Sequence, residues 1–270
     1  MDAFYINLEA RFDRRAAIEA AFVAHAPPAW RLTRFAAIEG ADPPGSLSLA
    51  EKSCFLSHRR LIESRLGVTE PTLMLEDDST FGPHSFPAID SQLGRTGEAQ
   101  WDVIFTDLCV PEIMPMAQLY RLRRRLTRGG ALATSLVELQ RMNFAGASGY
   151  LINPRSCARL CELFLEAPEL NVPFDLFLRN HIQNGRLKGL AIFPFPTTLS
   201  PLADRSSIQT HEGQNTDRIW NLFRRAVWLD RDLGALQGPF ADLRAANSDP
   251  DAEMIATIFT AMLADDFRIK

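Results

Sequence analysis

Cysteine is scarce in this 270-residue chain. The four present, Cys54, Cys109, Cys157 and Cys161, are too scattered for a disulfide framework and form no C-x-x-C pair. Cys157 and Cys161 stand four apart in a predicted helix and read as core residues. Long apolar runs are missing as well, so no segment has the ~20 residues that a membrane-spanning helix needs. The first residues, Met1-Asp2-Ala3-Phe4, lack a basic stretch followed by an apolar one, which argues against a secretory leader and makes the cytoplasm the expected location. Positive charge is not in excess: a net charge of −4 gives no electrostatic reason to expect nucleic acid as a partner. Internal repeats and low-complexity tracts are also absent.

What remains is ordinary globular composition, 46% hydrophobic and 23% charged, on a chain long enough to bury one large core. Short apolar runs alternate with helical stretches, which predicts an α/β fold whose mostly parallel sheet is covered by helices. Strands are expected over residues 4–8, 30–38, 72–75, 101–106, 144–152 and 190–193. Asp13 is expected to cap a first helix. Ser48 and Glu51 fit a capping box that opens a helix running to about Leu66, with Gly67 ending it. On that helix His58 shares a face with Cys54, Leu61 and Ile62, so it points with the apolar residues, either as a core histidine or as a site residue. Asn153-Pro154 opens another helix, and Pro173-Phe174-Asp175 begins a short one. The arginines at 121, 123, 124, 125 and 128 predict a solvated face or mobile loop, with contact to substrate phosphates or an anionic membrane surface as the alternative. From Asp217 onward the chain reads as helical and carries no chemistry signal.

The stretch with most chemistry is Thr72-Leu73-Met74-Leu75-Glu76-Asp77-Asp78. A buried strand here delivers three carboxylates to its C-terminal end and into a loop, where open α/β sheets place ligands. Three uncompensated acids repel one another, and a hard divalent cation is a common remedy. Alternation along extended chain puts Glu76 and Asp78 on one side and Asp77 on the other, which makes Glu76 and Asp78 the expected ligand pair. The plain alternative for such a triplet is a solvated turn.

Five pieces, in order, carry a family resemblance: Tyr5-Ile6-Asn7-Leu8 with Asp13-Arg14-Arg15, residues 51–58 (Glu-Lys-Ser-Cys-Phe-Leu-Ser-His), Leu75-Glu76-Asp77-Asp78, Gly146-Ala147-Ser148-Gly149-Tyr150, and Pro173-Phe174-Asp175. Together they resemble glycosyltransferase family 25, the lipopolysaccharide or lipooligosaccharide glycosyltransferases related to collagen galactosyltransferases. Ser53 stands where that family usually has glycine, and its proline-rich C-terminal signature is loose here, around residues 201–208. The resemblance implies a GT-A fold over residues 1–210 with a helical extension over 211–270, a UDP-sugar donor carrying galactose or glucose, manganese or magnesium, and inversion at the anomeric carbon. It implies a glycan or lipid-linked acceptor in surface-glycan synthesis and a cytoplasmic enzyme, with peripheral contact to the inner face of the membrane as a further option. By residue, it implies Glu76 and Asp78 as metal ligands, and Tyr5, Asn7, Arg14, Asp77 and Gly146 as donor-binding residues. His58 and Asp175 are then the catalytic candidates, Asp175 as the base. His211 is a candidate third ligand, since imidazole is acceptable to manganese.

Two other classes compete. A hydrolase using the same acids needs carboxylates on both faces of a bond, which neighbours on one strand end do not supply. A non-catalytic sugar- or nucleotide-binding protein on a degenerate transferase fold is the second alternative, and the intact Glu-Asp-Asp speaks against it.

Overall fold

The computed structural model describes residues 1–130, 132–204, 214–246, 249–251 and 254. In chain order the elements are β1 (Asp2–Asn7), α1 (Phe12–His25), β2 (Arg31–Ala36), α2 (Leu49–Glu63), β3 (Thr72–Glu76), β4 (Ser79–Thr80), α3 (Ser85–Arg95), β5 (Val103–Cys109), α4 (Ile113–Leu126), β6 (Ser135–Glu138), β7 (Ala145–Ile152), α5 (Cys157–Glu166), α6 (Phe174–Gln183), β8 (Gly189–Phe193), β9 (Thr198–Leu199), α7 (Gln214–Val227) and α8 (Leu233–Ala246). Alternating strands and helices build a mixed α/β layer structure, as the sequence pattern predicts.

Seven strands form one sheet in the order β2-β1-β3-β7-β5-β8-β6, and β4 pairs with β9 as a separate ribbon. β1, β2, β3, β5 and β8 run one way, whereas β6 and β7 run against them. The antiparallel β7 matters for the site. Because it is reversed between β3 and β5, its first residues lie at the edge where those two strands end, with Gly149 opposite Leu75 and Ala145 opposite Cys109.

Both sheet faces are covered, which is why the central strands read as continuous apolar runs. Period-two alternation sends Met74, Phe105 and Tyr150 into one core with residues of α2, α5 and α6, among them Phe55, Phe164 and Phe174. Leu73, Leu75 and Ile104 enter the opposite core with Ile18, Phe22 and Phe86 of α1 and α3. Gly149 has a packing reason to be glycine: a Cβ there would lie 2.5 Å from Thr106 Oγ1 and 2.8 Å from Thr197 Oγ1.

Several local expectations are revised. Asp13 does not cap α1; Arg11 holds the cap position and Asp13 lies in the first turn, bonded to Arg11. The Ser48–Glu51 capping box forms in full, and the helix ends at Glu63, one turn short of Gly67. β6 carries no clear alternation of its own and is an edge strand defined by pairing with β8. The arginine run is no loop: Arg121 to Arg125 belong to α4, and buried Arg123 donates to the carbonyls of Trp228 and Leu229. The acids leave the strand as expected, with Glu76 ending β3, but the loop is only a two-residue turn. Asp77 and Asp78 form a two-residue link into β4, held because Ser200 N–H donates to the Asp78 carbonyl at 2.7 Å next to the β4–β9 ribbon.

Candidate active site

A cavity of about 370 Å³ opens at the edge where β3 and β5 end and β7 begins, within the size range of small-molecule sites. Its wall includes His58 and Cys54 from α2, Glu76 at the end of β3, Asp78 just after it, and Asp175 at the start of α6. Arg224 of α7 closes another side.

Glu76 and Asp78 line the cavity, and Asp77, one residue out of phase, turns to the other side of the sheet. There Asn7 donates to Asp77 Oδ2 at 2.8 Å, and one Arg14 nitrogen reaches Asp77 Oδ1 and Asp78 Oδ2, each at 3.0 Å. Asn7 and Arg14 are both buried and hold the acids from behind, which is where the structure places these two expected donor-binding residues. Tyr5 is fully buried in the α1-side core, and its hydroxyl donates to Glu19. Its side chain is therefore spent on packing, because β1 alternation directs residues 3, 5 and 7 to that face.

Arg14 does not satisfy the acids completely. Asp78 Oδ1 is buried without a hydrogen-bond partner, and burial, with Glu76 alongside, raises the Asp78 pKa to about 7. For Glu76, burial opposes ionisation, but His58, Arg224 and Arg14 outweigh it and hold its carboxyl below the ordinary value. Such a carboxylate pair with an orphaned oxygen fits a hard divalent cation. Among the described residues, Glu76 and Asp78 do not close into a compact group with a third His, Cys, Asp or Glu. Two carboxylates that leave the remaining positions to phosphate and water are the usual provision for magnesium beside a nucleotide. His211 lies outside the described residues.

His58 is 1% exposed and stands between the core and the cavity. Its ring stacks on Phe174 at 4.2 Å, Nδ1 bonds the Tyr150 hydroxyl at 2.7 Å, and Nε2 lies 3.6 Å from Glu76 Oε1. The ring thus stands beside a cavity-lining carboxylate while filling core volume. We expect His58→Ala to lower both the melting temperature and the rate, with a stability cost of about 2–4 kcal/mol from the void and the orphaned Tyr150 hydroxyl. Full loss of turnover at unchanged stability would instead restrict His58 to the chemistry.

Gly146 and Asp175 meet at the far wall. Gly146 has φ +82°, a left-handed conformation that favours glycine. Its N–H donates to Asp175 Oδ2 at 2.6 Å, which fixes the carboxylate at the start of α6.

Arg224 was not legible as a functional residue, because the tail reads only as helix. In the structure it is buried and forks onto Asp107, with Nε at 3.0 Å from Oδ1 and Nη2 at 2.5 Å from Oδ2, while Ser148 Oγ bonds both partners. This cluster brings a cation from the C-terminal helix to the cavity wall. The amphipathic pattern of α7, with Arg224 next to apolar Phe223 and Leu222, was the available signal.

The profile of glycosyltransferase family 25, described as an LPS biosynthesis protein, matches residues 1–178. No curated protein matches the chain significantly. Among solved structures, the galactosyltransferase LgtC, in complex with donor and acceptor sugar analogues, is similar at 12% identity over 71% of this chain and 73% of that one, with a TM-score of 0.38. The glycosyltransferase GlyE of Streptococcus pneumoniae TIGR4 is similar at 10% identity over 70% of this chain and 44% of that one, with a TM-score of 0.38. Mouse xyloside xylosyltransferase 1, in its apo form, is similar at 8% identity over 70% of this chain and 78% of that one, with a TM-score of 0.37. With 178 of 270 residues under the family profile, the chain belongs to glycosyltransferase family 25 and is a glycosyltransferase.

Proposed function

We propose that this enzyme transfers a hexose, galactose or glucose, from a UDP-sugar to a hydroxyl of a glycan or lipid-linked acceptor in surface-glycan synthesis, with inversion and with Mn²⁺ or Mg²⁺ bound by Glu76 and Asp78. The observation that carries the reading is the convergence on one cavity of Glu76, Asp78 with its orphaned oxygen, Asp175 and Arg224 in a family 25 chain. We take residues 1–210 as a GT-A-type catalytic unit and 211–270 as an extension that completes the cavity through α7.

Bound there, a divalent cation would neutralise charge that grows on the diphosphate as the sugar–phosphate bond breaks. Arg14 fixes the Asp78 carboxylate by bonding one of its oxygens and leaves the other without a partner. Arg224, whose charge Asp107 already pairs, contributes a fixed guanidinium to the wall beside an anionic donor. Asp175, held by the Gly146 N–H, is the group placed to accept the acceptor hydroxyl's proton as the new bond forms.

Peripheral membrane contact has support in α4, whose start exposes Ile113 (68%) and Met114 (64%) ahead of exposed Arg121 and Arg125. Among the described residues no helix is long and apolar enough to cross a membrane.

A screen of UDP-sugars with and without manganese tests the reading. Metal-dependent release of UDP, abolished by a chelator and restored by excess Mn²⁺, is expected for one or two hexose donors. Tight donor binding with no turnover under any metal would favour the non-catalytic alternative.

A further inference from the structure

We propose that Cys54, His58 and Glu76 form a second, softer cation site of the zinc type, whose occupation withdraws Glu76 from the donor's cation. One ligand atom from each residue lies within 4.8 Å of the others. Cys54 and His58 are one turn apart on α2, so the i, i+4 spacing puts thiol and imidazole on the same face. Glu76 meets them from the end of β3.

The His58–Glu76 separation suits a shared ion better than a direct hydrogen bond. His58 Nε2 and Glu76 Oε1 are 3.6 Å apart, beyond hydrogen-bond range, whereas two ligands about 2.0–2.3 Å from a tetrahedral zinc stand roughly 3.3–3.8 Å apart. The outer partners of a metal histidine are also in place. Tyr150 hydroxyl bonds Nδ1 at 2.7 Å and Phe174 stacks on the ring, which leaves Nε2 to face Glu76 and the cavity. Three protein ligands beside an open cavity leave a fourth position for water.

Thiolate and imidazole select zinc or cobalt over magnesium and manganese, and the divalent series places Mn²⁺ at its weak end. The all-oxygen pair Glu76 and Asp78 has the opposite preference. Both sites draw on Glu76, so the two cations compete for its carboxylate. Without a cation the Cys54 thiol keeps its proton, because burial and then the Glu76 carboxylate push its pKa well above the usual value. Zinc binding forms the metal–sulfur bond and releases that proton to solvent. The inhibitory consequence rests on the transfer reading above; the binding site does not.

Cobalt titration of the full chain separates the two. Wild-type protein is expected to develop a thiolate-to-cobalt charge-transfer band in the near ultraviolet, with visible bands of tetrahedral strength. Cys54→Ser and Cys54→Ala should both lose them, with Cys109, Cys157 and Cys161 still present as an internal control. Identical spectra in wild type and both variants, or only the weak bands of six-coordinate cobalt in wild type, would overturn the site. In manganese-supported transfer, zinc is expected to inhibit wild type at least tenfold more tightly than Cys54→Ser, each normalised to its own zinc-free rate. Equal zinc sensitivity would overturn the coupling. Should no donor support transfer, the cobalt spectra still decide whether the site binds, so a failed transfer reading and a failed site give different results.

Discussion

Asp78→Ala is expected to reduce transfer by a factor on the order of 10³, about 4 kcal/mol of transition-state stabilisation, while the fold stands. Asp78 lines the cavity, carries a buried oxygen without a hydrogen-bond partner and sits beside Glu76, so its removal relieves repulsion. Arg14 keeps Asp77 as a counterion in the variant, and no cation is stranded. Asp77→Asn should be milder in rate, since Asp77 faces Asn7 and Arg14 on the other side of the sheet. Thermal denaturation provides a second readout that does not depend on turnover. A cation at about a hundredfold its dissociation constant stabilises by roughly 2.7 kcal/mol, and that manganese-induced gain should vanish in Asp78→Ala. Wild-type activity in Asp78→Ala, or equal loss in Asp77→Asn, would remove the ligand assignment.

The largest stability loss is expected at Arg224. Its side chain is 7% exposed and that of Asp107 1%, so Arg224→Ala strands a carboxylate inside the sheet. Breaking a buried pair from one side costs about 3–5 kcal/mol, which for a chain of this size lowers the unfolding midpoint by roughly 6–20 °C. The double variant Asp107→Asn with Arg224→Met should recover most of that loss, because neither charge is then left alone. Activity should not return with stability in the double variant, since the cavity wall has lost its cation. If Arg224→Ala denatures within about 1 kcal/mol of wild type, α7 is not anchored through this pair.

Much of the architecture follows from local pattern. Helix α2 was legible because its capping box is a contact between residues three apart, and the strand before the acids because four apolar or β-favouring residues need burial wherever they go. The assignment of Glu76 and Asp78 to one side needed only the two-residue period of extended chain. In contrast, the fate of Asp77 depended on Asn7 and Arg14, 70 and 63 positions away, and no local rule pairs residues at that distance. The link into β4 was hidden for the same reason: Ser79 and Thr80 are too few to announce a strand, and only pairing with β9 makes them one.

The sequence by itself determined the alternation of strands and helices, the acidic strand end, the apolar placement of His58 and the family resemblance, because each rests on short-range periodicity or on residue order. Only the tertiary structure decided which way β7 runs, and with it that Gly146, Ser148 and Asp175 arrive at the acids' edge of the sheet. It also decided that a tail with no chemistry of its own delivers Arg224 to the cavity. A charge far along the chain becomes part of a site only when the energy of burying it beside Asp107 is set by packing, and packing is a property of the folded chain as a whole.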